Sequence, residues 1–286
     1  MEKARRGFLQ GLAVGASLLL LGCQEGPKPP GEGKAKYSVY LSTDDGPMHC
    51  SEDIDALIRE TEVPLAAFVV GKHARSKRYH AYLEAYRGDP YVSLANHSYT
   101  HANGHYSDYY RHPERVLEDF ERNRKFLGLS GKRGRLPGRD SWRIGGRAYD
   151  ADKSARAAAD LLAAHGYTLY GWDLEWTHTH SGKPIGSAET FYRRIRSQLE
   201  RGHSFTPGHL MVLMHDQMFG TVGAREELKR LIVLLKRDPS IRLRALSEYP
   251  ENIPAGSLPI RGPRLIRGST TGIGESTPVD PMKFVR

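Results

Sequence analysis

Blocks of two periodicities alternate along this chain. Short runs rich in β-branched and aromatic residues, at 39–43, 65–70, 91–95, 167–172, 210–214 and 241–246, read as buried strands. A weaker strand is expected at 133–136. Between them lie stretches with helical spacing, predicted at 51–60, 78–86, 113–127, 151–165, 187–201 and 225–237. Ser51 is expected to cap the first, with Glu52 and Asp53 in its first turn, and Gly166 to stop the fourth. Strand and helix follow each other throughout, which predicts βα units and a parallel sheet or barrel with its chemistry at the strands' C-terminal ends. The polar clusters fall there: Asp44-Asp45, His97 to His101, Arg135 to Arg139, Asp173 to Trp176 and His215-Asp216 each follow an expected strand.

The two ends of the chain break this rhythm. Residues 1–22 read as a signal, with Lys3, Arg5 and Arg6 ahead of the apolar run 12–21. Leu20-Leu21-Gly22-Cys23 resembles a bacterial lipobox, making Cys23 the expected lipidation site, and Arg5-Arg6-Gly7-Phe8-Leu9 resembles a twin-arginine signal. The expectation is an exported protein, lipid-anchored to the cell envelope, on the outer membrane or the periplasmic face where the host has two membranes. Residues 23–36 are rich in Pro, Gly and Lys and read as a tether; 37–250 form the folded domain; 251–286 read as an irregular tail.

Composition narrows the picture. At 286 residues with only two cysteines, the chain can bury a core without disulfides. Its formal charge of +9 falls to about +7 once the signal is removed, which suits an anionic envelope surface. No basic stripe with interleaved aromatics and no nucleic-acid module is present, so nucleic acid is excluded as the expected partner. A monomer is expected.

Two adjacent carboxylates at a strand end, followed by Gly46-Pro47, can turn toward one pocket, where a cation would stabilise their ionised forms. Taken alone, the segment reads equally as a surface turn. His97 and His101 are four apart, so in a helical turn their rings would share a face. Among thirteen histidines such a pair is also common on an exposed helix. Together with Asp45 they would make a two-histidine, one-carboxylate metal site with open positions, suited to Zn²⁺ first and also to Co²⁺, Ni²⁺ or Fe²⁺, and Asp44 would be placed as a base.

Ser42-Thr43-Asp44-Asp45-Gly46-Pro47, His97-Ser98-Tyr99-Thr100-His101, Arg135-Leu136-Pro137, Asp173-Leu174-Glu175-Trp176 and Leu213-Met214-His215-Asp216 together resemble, in order, the motifs of the polysaccharide deacetylases, carbohydrate esterase family four. The resemblance spans roughly 37–249 and implies an α/β fold, a distorted (β/α) barrel of about seven strands, and metal-dependent removal of acetyl groups from a polysaccharide or oligosaccharide. By that resemblance Asp44 would be the general base and Asp45, His97 and His101 the metal ligands. Arg135 would pair with the base, His215 would be the general acid, and Asp173 would orient it. Leu213, Trp176 and Pro137 would line the substrate slot. An N-acetyl amide on N-acetylglucosamine units is the first expected target and an O-acetyl ester the second; the rivals are another metal hydrolase and a non-catalytic carbohydrate-binding lipoprotein.

Three departures from the family pattern are visible. Thr43 replaces an aromatic, Gly138 follows Pro137 where an aromatic is common, leaving a groove wall absent or supplied by Trp142, and the fourth motif is short. Outside the motifs, His178 and His180 read as exposed loop residues and Cys50 as a small buried side chain. The Tyr-rich loop 105–110, with His105 and His112 nearby, could stack on sugars or simply pack.

Overall fold

The computed structural model describes residues 35–252; the signal, Cys23, most of the tether and the tail beyond 252 lie outside the described residues. The chain runs β1 (Tyr37–Asp44), α1 (Ser51–Thr61), β2 (Leu65–Val69), α2 (Lys77–Gly88), β3 (Val92–Asn96), α3 (Tyr106–Tyr110), α4 (Pro113–Phe126) and β4 (Arg133–Gly134). It continues through β5 (Ser141–Ile144), β6 (Arg147–Asp150), α5 (Arg156–Ala164), β7 (Thr168–Leu169), β8 (Leu174–Glu175), α6 (Ala188–Glu200), β9 (His209–His215), α7 (Val222–Arg237) and β10 (Ile241–Leu243). A single sheet of ten strands takes the order β6-β5-β7-β4-β3-β2-β1-β9-β8, and β10 adds to the start of β1. All pairings are parallel except those made by β5. The sheet curls into a distorted, half-closed barrel with helices outside.

β1 organises it. All eight of its residues are buried, because it pairs with β2, β9 and β10 and is covered on both faces. Alternation along the strand sends Val39 and Leu41 outward into the apolar layer beneath α1, α2, α6 and α7, where Ile58, Leu83, Phe191, Ile195, Leu231 and Leu235 are buried. Tyr40 joins an inner cluster with Phe68, Trp142, Tyr170, Met211 and Tyr249. Ser42 and Asp44 continue that inner face toward the strand's end, and the register sets Ser42 beside Leu213 and Asp44 beside His215 of β9.

The structure departs from the expected elements in several places, each for a local reason. Ser51 is the first residue of α1 rather than its cap; its hydroxyl donates to Asp216 and accepts from the Met48 N–H at 2.7 Å. The hairpin β5–β6 was not anticipated, although Gly145-Gly146 between two short segments that each carry an aromatic is a hairpin signal; both glycines have positive φ, 56° and 76°, as a tight two-residue connection requires. It shortens the helix expected from 151, and α5 starts only at Arg156.

The strand expected at 167–172 divides. β7 lies inside the sheet between β4 and β5, while β8 pairs with β9 at one edge, so 170–173 crosses from one side of the sheet to the other. The Tyr170 N–H donates to the Gly134 carbonyl at one end and the Asp173 N–H to the Met211 carbonyl at the other, each at 2.9 Å. Gly171 lies midway, and any side chain there would collide with Asp140 and Trp142.

Candidate active site

Three loops at the C-terminal rim converge on the end of β1. Asp44 closes the strand with only 3 % of its surface exposed, and Asp45 follows with a left-handed backbone, φ 73°. Gly46 is held close, since a Cβ there would overlap the Asp216 carboxylate. This tight turn brings both acids of the pair to one place, as the sequence predicts.

Past β3, Asn96 shapes the second loop. Its amide donates to the Phe120 carbonyl at 2.8 Å and its oxygen accepts from Ser98 N–H and the Asn123 amide, both at 2.9 Å. The expected helical turn is absent between His97 and His101. Instead Ser98 and His101 take positive φ, 63° and 53°, and these kinks, rather than a shared helical face, bring the rings to a centroid separation of 5.2 Å. His97 Nε2 stands 3.5 Å from Asp45 Oδ1 and 3.5 Å from Asp44 Oδ2; His101 Nε2 stands 2.9 Å from Asp45 Oδ1.

Proton bookkeeping shows what this cluster fits. His97 Nδ1 lies 3.0 Å from the Arg135 carbonyl, which can only accept, so Nδ1 carries a proton and Nε2 is the ring nitrogen that faces the two carboxylates. That nitrogen would be free to act as a metal ligand, and Asp45 Oδ1 beside it is buried without a hydrogen-bond partner of ordinary geometry. Donor atoms of Asp45, His97 and His101 all lie within 4.8 Å of one another, the spacing and donor set of a divalent metal site. Burial alone would raise the Asp45 carboxyl, yet the charge and hydrogen bond of His101, then His97, hold it well below the usual carboxylate range. Asp45 in turn raises His101 against the opposing effect of burial.

Arg135 enters from the loop after β4 and is fully buried. Its guanidinium donates to Asp44 Oδ1 at 2.6 Å, Ser42 Oγ at 3.0 Å, the Tyr170 carbonyl at 3.1 Å and the Gly171 carbonyl at 2.9 Å, with its central carbon 4.0 Å from the Phe68 ring centroid. Such a fork occupies one oxygen of Asp44 and leaves Oδ2 facing the histidines.

On the other flank, His215 ends β9 half-buried. Asp173, expected to orient it, does not reach it. Asp173 is tied by Phe205 N–H at 2.6 Å and Met211 N–H at 2.7 Å, one to each oxygen, at the opposite end of β9, and burial pushes its carboxyl up to about 8. The neighbour of His215 is His178, whose ring meets it edge-on at 5.2 Å and is held by the Thr179 carbonyl at 2.8 Å and the Gln217 amide at 3.2 Å. Isolated in a loop, His178 carries no periodic signal that singles it out. The same is true of His73, whose Nδ1 lies 2.7 Å from the Asp45 carbonyl oxygen.

Of the expected slot residues, Leu213 is 2 % exposed on the inner face next to His215. Pro137 is buried, and its carbonyl accepts from Tyr110 OH at 2.6 Å. Trp176 faces the other way: it is fully buried in the outer layer, stacked on Phe191 at 4.8 Å, and its indole donates to the Ile185 carbonyl. Trp142 supplies no groove wall either, being fully buried against Phe205 at 4.5 Å. The space above Gly138 is taken by Tyr106, whose ring would touch a Cβ there at 3.2 Å and lies edge-on to His101 at 5.7 Å. Thr43, at the other departure, donates to Asp216 Oδ1 at 2.7 Å; Ser51 and Tyr86 complete a set of hydroxyls around that buried acid, which burial pushes up to about 6. Cys50 is a buried structural residue, donating to the Asp216 carbonyl, its thiol pushed up to about 12 by burial.

Acids, histidines and an arginine gathered at the C-terminal rim of a curled βα sheet stand where barrel folds carry their active sites. Residues 31–169 match the polysaccharide deacetylase family model. Among solved structures it is similar to a polysaccharide deacetylase from Bacillus cereus, at 18 % identity over 74 % of this chain and 93 % of that one, TM-score 0.52. The catalytic domain of a peptidoglycan N-acetylglucosamine deacetylase from Eubacterium rectale gives 20 % identity, 76 % and 93 % coverage and TM-score 0.53, and a family 4 carbohydrate esterase from Streptococcus mutans 19 %, 72 % and 85 %, and 0.53. At these identities the likeness is one of fold. No curated protein sequence matches the chain.

Proposed function

We propose that this protein hydrolyses acetyl groups on a carbohydrate polymer, with the N-acetyl amide of N-acetylglucosamine units as the first target and an O-acetyl ester as the second. The observation that carries the reading is the juxtaposition at the end of β1: a buried Asp44–Arg135 pair at 2.6 Å directly beside the Asp45, His97 and His101 cluster, with His215 in register on the neighbouring strand.

Asp45, His97 and His101 would hold a divalent metal, Zn²⁺ first among the ions that donor set suits. When bound, such an ion polarises an acetyl carbonyl and makes water a nucleophile near neutral pH. Asp44 takes the proton of the attacking water on Oδ2, because Oδ1 is engaged by Arg135. Arg135 keeps that carboxylate fixed in position through attack. His215 delivers a proton to the leaving nitrogen or oxygen as the carbon–heteroatom bond breaks, completing the transfer from the opposite side. Leu213, buried beside Ser42 one inner-face position before His215, sets an apolar floor that fits an acetyl methyl. The location that suits this function is the cell envelope, through a lipid on Cys23, outside the described residues.

Acetate release from chitin oligomers, peptidoglycan fragments and acetylated xylan, with and without a chelator, tests the reading. Release that chelation stops and added metal restores is expected. His97→Ala and Asp45→Ala are expected to lose metal, whereas Asp44→Asn and His215→Ala keep it and lose about 10²- to 10⁴-fold in rate. Equal loss of metal in all four would break the assignment of roles.

A further inference from the structure

His73 belongs to none of the sequence motifs, and the reaction above does not use it. It opens the single turn His73–Arg75 that follows β2, and its ring is half-buried. The Asp45 carbonyl oxygen, 2.7 Å from His73 Nδ1, can only accept, so Nδ1 carries the proton and donates. A second bond runs alongside: Val70 N–H donates to the Gly46 carbonyl at 2.9 Å. Both carbonyls of the Asp45-Gly46 turn are thus anchored to the segment after β2.

Asp45 needs such an anchor. Its φ of 73° lies where a side chain with a Cβ is disfavoured, and its Oδ1 is buried among the rings of His97 and His101. Rotation of the backbone toward negative φ would carry the carboxylate off the point that the two rings define. We infer that His73 is a positioning residue for the metal-ligating carboxylate: its N–H···O bond to the Asp45 carbonyl fixes the left-handed turn and so fixes where Oδ1 stands. The inference rests on Asp45, His97 and His101 being metal ligands.

The test is zinc affinity of the full chain, measured by competition with a chromophoric chelator, with the absorption bands of cobalt-loaded protein reporting ligand geometry. His73→Asn keeps a donor at similar reach and loses the ring. His73→Phe keeps the ring's bulk and loses the donor. The expected result is a His73→Asn dissociation constant within about 3-fold of wild type and a His73→Phe constant raised about 10- to 100-fold, with altered cobalt bands in the latter only. Unchanged zinc affinity in His73→Phe overturns the inference, as does a His73→Asn protein as weak as His73→Phe. If His73→Phe does not fold, His73→Asn decides alone: wild-type affinity supports the role and a large loss refutes it. Wild-type protein that takes up neither zinc nor cobalt overturns the ligand reading itself, and the role of His73 with it.

Discussion

Replacing Arg135 by methionine removes one cation from the interior and strands what it served. Asp44 is 3 % exposed, and without Arg135 it becomes an unpaired buried charge, a change that costs about 3–5 kcal/mol. The Tyr170 and Gly171 carbonyls each lose a donor, adding roughly 1 kcal/mol apiece. Methionine keeps much of the volume against Phe68, so packing contributes little. The total of about 5–7 kcal/mol is a large part of the stability of a typical domain. Urea unfolding of metal-free protein at fixed pH measures it without the stabilisation that a bound ion adds. Asp44→Asn alone also costs, because it strands Arg135. With both changes present neither charge remains, and Arg135→Met in the Asp44→Asn background should cost only about 2 kcal/mol, the share of the two carbonyls. Costs that add to within about 0.5 kcal/mol would refute the claim that the pair is one electrostatic unit.

Other outcomes follow from the same geometry. Burial raises Asp173 to about 8, Asp140 to about 7 and Asp216 to about 6, so the folded chain holds protons that the unfolded chain releases near pH 4. Their contribution is therefore whole below about pH 4 and is lost as pH rises toward 8; the urea midpoint should fall from about pH 5 to 8, most of the decline above pH 7 should vanish in Asp173→Asn, and a level or rising midpoint contradicts this. Tyr106→Ala should raise KM for chitin oligomers about 2- to 10-fold while Tyr106→Phe leaves it near wild type, as expected if the ring is the wall that Gly138 lacks; equal effects of the two would place the contribution on the hydroxyl instead. Alkylating reagents should leave activity intact, since the Cys50 thiol is buried and pushed up to about 12; rapid inactivation would show a cysteine at the reaction centre.

The apolar runs made the parallel sheet legible, because strands buried on both faces read as continuous hydrophobic stretches, and the ends of β1, β3 and β9 fell where the polar clusters predicted. The pairing of Asp44 with Arg135, and the gathering of His97 and His101 at Asp45, match what the motifs imply. Sequence spacing nevertheless gave the wrong local geometry for those histidines, since four-residue separation is as compatible with two left-handed kinks as with a helical turn. Asp173 and Trp176 were misplaced because the strand expected at 167–172 stops at Leu169 and the chain then crosses the sheet to pair with β9, which no local pattern encodes. His73 and His178 reach the site from single loop positions, where only the fold brings them near.

The crossing at 170–173 has a consequence for reading related sequences. Arg135 binds the acid of β1 with one arm and the crossing backbone with the others, so the same cation serves the proposed reaction and the tie between β1 and the crossing segment. A descendant that abandoned catalysis but kept Asp44 would still depend on it for stability. Asp45 and His101 carry no such second duty; both stand half-exposed at the rim. Drift toward a mere sugar binder would therefore be expected to erase those two before the arginine.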